Sequence, residues 1–185
     1  MENDAPIMLE SRRLRLRPFT TADIPAFAAY RSDPLVARYQ GWETPYTLAM
    51  ATQFVAEMAT MPPIPHGEWF QLAIELKDVH APIIGDCAFH RLLEDARQAE
   101  IGFTLARAYQ GQGFASEAVR CLLAYLFVDL KLHRVRAICD VENTGSSTLL
   151  ARVGMRREAY FVQSAWFKGR WSSEYWYAML ASEFR

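Results

Sequence analysis

Gly111 and Gly113 stand one residue apart in Arg107-Ala-Tyr-Gln-Gly-Gln-Gly-Phe-Ala-Ser-Glu-Ala-Val119, directly after an apolar, strand-like segment. Behind them Ala115, Ala118, Val119, Leu122 and Leu126 recur at the spacing of one helix face, with Ser116, Glu117 and Arg120 opposite. That placement imposes an order of strand, bare loop and helix over about Gly113 to Asp129. Lacking Cβ atoms, the loop can turn its peptide N–H groups outward, while the helix behind it adds the positive end of its dipole. The combination suits a pyrophosphate. A turn that holds nothing is the plainer alternative. The spacing Gln110-x-x-Gly113-x-Ala115 is shorter than a dinucleotide G-x-G-x-x-G and no acidic ribose partner follows it; the lysine and hydroxyl of a P-loop are also missing.

The flanking patterns extend the order. Leu14 and Leu16 alternate with Arg13, Arg15 and Arg17, which predicts one strand over Leu9 to Phe19 with its arginines on a solvated face. Thr20-Thr-Ala-Asp23 caps a helix to about Tyr30, Asp33-Pro34 opens a short one, and a third from about Thr47 to Ala59 stops at the prolines of Met61-Pro-Pro-Ile-Pro65. Apolar segments at Trp69 to Leu76, Ile83 to Leu92 and Ala99 to Leu105, separated by Lys77-Asp-Val-His80 and Glu94-Asp-Ala-Arg97, predict an antiparallel meander. Val135, Ala137, Cys139 and Val141 alternate with polar neighbours in a further strand, Ser146 to Val153 forms a helix closed by Gly154, and Tyr160 to Leu180 gives two long strands joined at Lys168-Gly-Arg170. The expected architecture is an α/β sandwich around one mixed sheet, a single domain over residues 1–185.

Composition narrows the partners. With 51% hydrophobic and 22% charged residues the chain reads as one globular unit, and a formal net charge of -1 offers no field for a polyanion, so nucleic acid is not an expected partner. No segment approaches the roughly 18 apolar residues that span a bilayer, and Met1-Glu-Asn-Asp-Ala-Pro6 does not read as a signal peptide. The expectation is no membrane contact and a cytoplasmic setting. Cys87, Cys121 and Cys139 are far apart and lack CxxC spacing, which fits reduced core thiols; His66, His80, His90 and His133 show no metal-ligand spacing.

Four segments taken in order, Glu100-Ile-Gly-Phe-Thr-Leu105, Tyr109-Gln-Gly-Gln-Gly-Phe-Ala-Ser-Glu-Ala118, Asn143-Thr-Gly-Ser-Ser147 and Val153-Gly-Met155, resemble the consecutive signatures of the GNAT superfamily of acetyl-CoA-dependent N-acetyltransferases. Arg13-Leu-Arg-Leu-Arg-Pro18 and the aromatic C-terminal hairpin resemble its RimJ/RimL type. The resemblance implies a mixed, mostly antiparallel sheet flanked by helices, with a V-shaped splay between the fourth and fifth strands. It implies acetyl-CoA as cosubstrate, no metal, and direct attack by a primary amine, a protein N-terminal α-amine or a small molecule, in a ternary complex. Gln110, Gly111, Gln112, Gly113, Phe114 and Ala115 would hold the pyrophosphate. A bulge in the strand of Glu100 to Leu105 would open a gap in which Phe103, Thr104 and Leu105, with Asn143 and Ser146, meet the pantetheine arm.

Proton transfer has candidates of its own. An acceptor amine arrives protonated, and Glu100 is the first candidate to take the proton, directly or through water; an ion-paired strand carboxylate is the alternative. Asn143 and Ser146 read equally as an N-cap with a first-turn residue and as groups facing the cofactor sulfur. Leucine at position 150 departs from the tyrosine that many family members carry as the acid, and Ser146 is the expected substitute. Tyr39, Trp42 and Tyr46, with Trp166, Phe167 and Trp171, either wall an acceptor pocket or pack, and Tyr160 is a weaker candidate for acceptor contact. Glu43, Glu68 and Glu174 either attract a cationic acceptor or solubilise the surface. Cys139 is the competing nucleophile, with an apolar strand face as the simpler reading. Two other classes stay open: a non-catalytic acyl-CoA sensor or interaction module, and a nucleotide-binding oxidoreductase. A homodimer is implied by resemblance alone.

Overall fold

Ser11 turns the first apolar stretch back on itself. Its main-chain N–H and its hydroxyl both donate to the Leu14 carbonyl, at 2.9 and 3.3 Å, so Leu9–Glu10 (β1) and Leu14–Arg17 (β2) pair as a small hairpin where one continuous strand was expected. The computed structural model describes residues 6–62, 64, 66–77 and 82–185. Residues 1–5, Pro63, Pro65 and residues 78–81, His80 among them, lie outside the described residues.

Three helices follow β2: Ile24–Arg31 (α1), Pro34–Ala37 (α2), which Asp33 caps by accepting from Leu35 N–H, and Leu48–Thr60 (α3), capped by Thr47. The meander is Phe70–Leu76 (β3), Gly85–Arg91 (β4) and Gln98–Leu105 (β5). The glycine loop leads into Phe114–Ala124 (α4), which ends in a π turn over Tyr125–Asp129. Arg134–Asp140 (β6), Thr144–Arg152 (α5), Arg156–Phe167 (β7) and Arg170–Leu180 (β8) complete the chain. At the tip between β7 and β8, Lys168 and Gly169 both take positive φ, 46° and 78°.

Among the described residues the eight strands form one sheet in the order β1-β2-β3-β4-β5-β6-β8-β7. Every neighbouring pair is antiparallel except β5 with β6. Helices cover both faces of the sheet over its N-terminal strands, while β7 is largely exposed. Leu14, Leu72 and Phe89 pack with Val119, Leu122 and Leu123 of α4 and with Leu149 and Leu150 of α5; the other face receives Phe27, Ala51 and Val55 of α1 and α3. Each fully buried leucine contributes roughly 1.5–3 kcal/mol of transfer free energy, so α4 is held by its apolar stripe. Beneath α1 the buried Asp86 accepts from Tyr30 Oη at 2.5 Å and lies 3.9 Å from Arg31.

Between β5 and β6 the pairing covers three residues, Gln98 with Arg134, Ala99 with Val135 and Glu100 with Arg136, and then stops. These strands are the fourth and fifth of the expected count, renumbered because the first became a hairpin. Beyond the last pair each strand follows its antiparallel partner, β5 on β4 through Leu105 and β6 on β8 through Asp140, and the two diverge. The expected bulge is not what separates them on the β4 side. There β5 keeps an unbroken register from Ala99 to Leu105, and the register shifts of this sheet fall in β7.

Candidate active site

Gly111 and Gly113 adopt φ of 74° and 81°, a left-handed conformation that side chains disfavour, and a Cβ built on Gly111 would meet nothing within 4 Å. No side chain caps α4 at Gly113, so the first-turn N–H groups face open space at the positive end of the helix. This is a main-chain anion cradle, and its chemistry fits a pyrophosphate.

The loop is braced by a residue that periodicity placed in solvent. Arg13 donates from Nε to Glu117 Oε2 at 2.7 Å and from Nη1 to the Gln112 carbonyl at 3.2 Å, with its guanidinium 4.2 Å above the Phe114 ring. Glu117 Oε1 also accepts from Arg13 N–H at 2.7 Å and from Ser11 Oγ at 2.8 Å. Burial pushes the Glu117 carboxyl upward, but these donors outweigh it and hold it below its ordinary value. Arg15 and Arg17 are likewise paired, both with Glu75 and Arg17 also with Asp23.

A cleft of about 720 Å³ runs from the cradle to the parting of β5 and β6. Of the expected binding residues, Phe103, Thr104, Leu105, Gln110, Gly111, Gly113, Phe114, Ala115, Asn143 and Ser146 line it. Gln112 does not; its amide donates to the Ala108 carbonyl at 2.9 Å. A smaller cleft of about 190 Å³ lies between the diverging strands and shares Tyr39, Gln40, Phe103, Asn143 and Ser146 with the larger. Because Ala106 N–H bonds to the Ile84 carbonyl, alternation along an antiparallel pair turns the main-chain groups of Ile101, Phe103 and Leu105 toward the gap. Gln40 and Gln110 reach the Phe103 and Leu105 carbonyls there, at 3.4 and 2.9 Å.

Asn143 caps α5, accepting from Ser146 N–H at 3.1 Å, and so fills the capping role while standing in both clefts. The Ser146 hydroxyl has no protein partner among the described residues. Glu100 lines neither cleft; its Oε2 accepts from Arg136 Nε at 2.8 Å, which is the ion-paired alternative for that residue. Leu150 is 1% exposed and lines the smaller cleft.

Cys139 lines the same cleft, and its thiol is pushed up to about 11 by burial and then by Asp140 and Glu174. Trp42 and Tyr46 pack on the Arg31 guanidinium at 3.9 and 5.1 Å, and Trp166 packs on Trp171 at 5.5 Å. Tyr39 and Phe167 are the aromatics of that group that line the smaller cleft, together with Glu174. His90 meets Trp69 edge-on, with ring centroids 4.4 Å apart. Among the described residues no group of three potential ligands is placed to hold a metal ion, and no helix is long and apolar enough to cross a membrane.

A parted parallel strand pair with a main-chain cradle at one end is the architecture of the GNAT acetyltransferases, and the chain belongs to that family: the acetyltransferase (GNAT) domain matches residues 13–156. Its relatives include RimJ/RimL-type enzymes. It is 32% identical over 176 residues, 95% of this chain and 97% of the other, to the uncharacterized N-acetyltransferase p20 of Bacillus licheniformis. A GNAT-family acetyltransferase structure from Bacillus anthracis superposes with a TM-score of 0.85 at 32% identity, over 96% of this chain and all of that one. The fold is also that of RimL, a ribosomal L7/L12 α-N-protein acetyltransferase solved with coenzyme A, with a TM-score of 0.79, 20% identity, and coverage of 94% and 98%.

Proposed function

We propose that this chain transfers the acetyl group of acetyl-CoA to a primary amine, on a protein N-terminus or a small molecule, by direct attack in a ternary complex in the cytoplasm. The observation that carries the reading is the continuity of the two clefts through the point where β5 and β6 part. Acetyl-CoA, when bound, supplies an activated acyl carbon and a thiolate leaving group. The N–H groups of the loop at 110–115 hold its phosphates. Phe103 and Leu105 offer main-chain groups for the pantetheine arm, and the Phe103 N–H polarises the thioester carbonyl.

Glu100, held in place by Arg136, takes the ammonium proton through a water, since its carboxylate stands outside the cleft walls. Ser146 gives its hydroxyl proton to the departing sulfur and regains one from the attacking nitrogen, in place of the tyrosine that Leu150 replaces. Asn143 holds the helix end that positions it. The acceptor class draws support from the ribosomal α-amine named for RimL.

The test is thiol release from acetyl-CoA across peptides, a polyamine and an aminoglycoside. Amine-dependent release, reduced about a hundredfold or more in kcat by Ser146→Ala and by Glu100→Gln, is expected. The buried Leu150 favours a second reading, an acyl-CoA sensor without chemistry. It is upheld by tight acetyl-CoA binding with background release that neither substitution changes.

A further inference from the structure

Two acids face each other directly across β6 and β8, Asp140 and Glu174, and both line the smaller cleft. Like charges at opposed positions of an antiparallel pair repel. The chain compensates only one of them. Arg170 donates to Asp140 Oδ2 at 2.9 Å, and the Ser172 hydroxyl donates to the same oxygen.

No lysine, arginine or histidine among the described residues pairs with Glu174, whereas Glu100 has Arg136, and Glu142 has Arg38 and Arg170. Glu174 has a hydroxyl instead: Ser164 Oγ donates to Oε2 at 2.9 Å. Ser164 reaches it because β7 shifts register against β8 between Phe161 and Ala165, where Gln163 takes φ of 46° and donates its N–H to Ser173 Oγ at 2.9 Å. Bulges of this kind re-aim a side chain. The carboxylate is thus oriented yet left without a counter-charge, in a cleft that Ile138, Ala165 and Phe167 also line.

We infer that Glu174 receives the ammonium of the acceptor, so that the smaller cleft selects cationic primary amines. At neutral pH such amines carry the positive charge that the Asp140–Glu174 pair lacks. Glu174 holds the nitrogen and does not remove its proton, so its removal acts on acceptor affinity. This inference rests on the transferase reading above.

Steady-state kinetics with the fastest amine of the panel test it. Glu174→Gln is expected to raise KM for that amine about tenfold or more, the usual worth of a charge-assisted hydrogen bond. KM for acetyl-CoA and the thermal midpoint stay at wild-type values, and Glu174→Asp, which keeps the charge, recovers much of the amine KM. Should Glu174→Gln fail to fold, Ser164→Ala removes the orienting hydroxyl and is expected to raise the same KM about two- to fivefold. An unchanged amine KM in the folded variant overturns this assignment alone. Absence of turnover by the wild type with every amine, while acetyl-CoA still binds, overturns the transferase reading and the assignment with it.

Discussion

At the scale of single residues, Cys139 decides between two chemistries. It sits in the split beside Ser146, where a nucleophile would form an acetyl-enzyme, yet burial and the nearby Asp140 and Glu174 push its thiol up to about 11. The thiolate, not the thiol, attacks. A rise of two units from the ordinary value leaves about a hundredfold less thiolate at neutral pH. Alkylation of Cys139 by iodoacetamide at pH 8 is therefore expected to be about a hundredfold slower than that of free cysteine, followed by mass spectrometry, and Cys139→Ala is expected to retain amine-dependent turnover. Fast labelling, or trapping of an acetyl-thioester on Cys139, contradicts direct attack. Asn143 shows how far residue identity alone can be read: its cap and its place in the cleft are both visible in the structure, and its residue type was compatible with either.

At the scale of elements, the glycine loop owes its shape to the N-terminal hairpin. Arg13 binds the Gln112 carbonyl and Glu117 together, so the turn of the hairpin at one end of the sheet braces the start of α4. Arg13→Ala is expected to weaken acetyl-CoA binding about three- to tenfold by calorimetry, because the ligand must then order a loosened loop. The melting temperature should fall by only a few degrees, since the pair is partly exposed. Equal affinity in the variant means the loop holds its shape unaided. Periodicity revealed β2, α4 and the meander because each repeats over several residues. It could not show that Arg13 and Glu117 meet, because they lie 104 positions apart and nothing local distinguishes a paired arginine from a solvated one. Glu174 was named with Glu43 and Glu68 from its charge alone, and nothing local singled it out: the Ser164 hydroxyl that orients it arrives through a register shift in the neighbouring strand. The hairpin of β1 and β2 was missed although the alternation changes phase there, from Leu9 to Leu14 and Leu16, across the polar run of residues 11–13 that the turn occupies.

At the scale of the whole molecule, the C-terminal hairpin joins the sheet out of chain order, with β8 between β6 and β7, and hydrogen bonds at its tip and ion pairs at its base hold it. Its tip reaches the end of α2 and the loop after it, where Lys168 Nζ donates to the carbonyls of Ala37 and Trp42 at 2.9 and 2.6 Å. Its base is held by Glu158 between Arg134 and Arg156. Hydrogen bonding from Arg134 lowers the Glu158 carboxyl to about 2, against an ordinary value near 4.5. A carboxyl lower in the folded chain than in the unfolded one stabilises above the unfolded value, and that contribution disappears as pH falls from about 4.5 to about 2. Melting temperatures of the wild type and Glu158→Gln are expected to differ at pH 6 and to converge near pH 2. The difference should shrink in high salt because the group is partly exposed. A constant difference across that range contradicts the assignment.

The whole account stands on where acetyl-CoA lies, and a crystal structure with it bound reads that position. The expected density has the phosphates on the N–H groups of residues 110–115, the arm along Phe103 and Leu105, and the thioester beside Ser146, with β5 and β6 still parted beyond Glu100. Acetyl-CoA bound elsewhere, or β5 and β6 paired along their full length with the loop vacant, contradicts it.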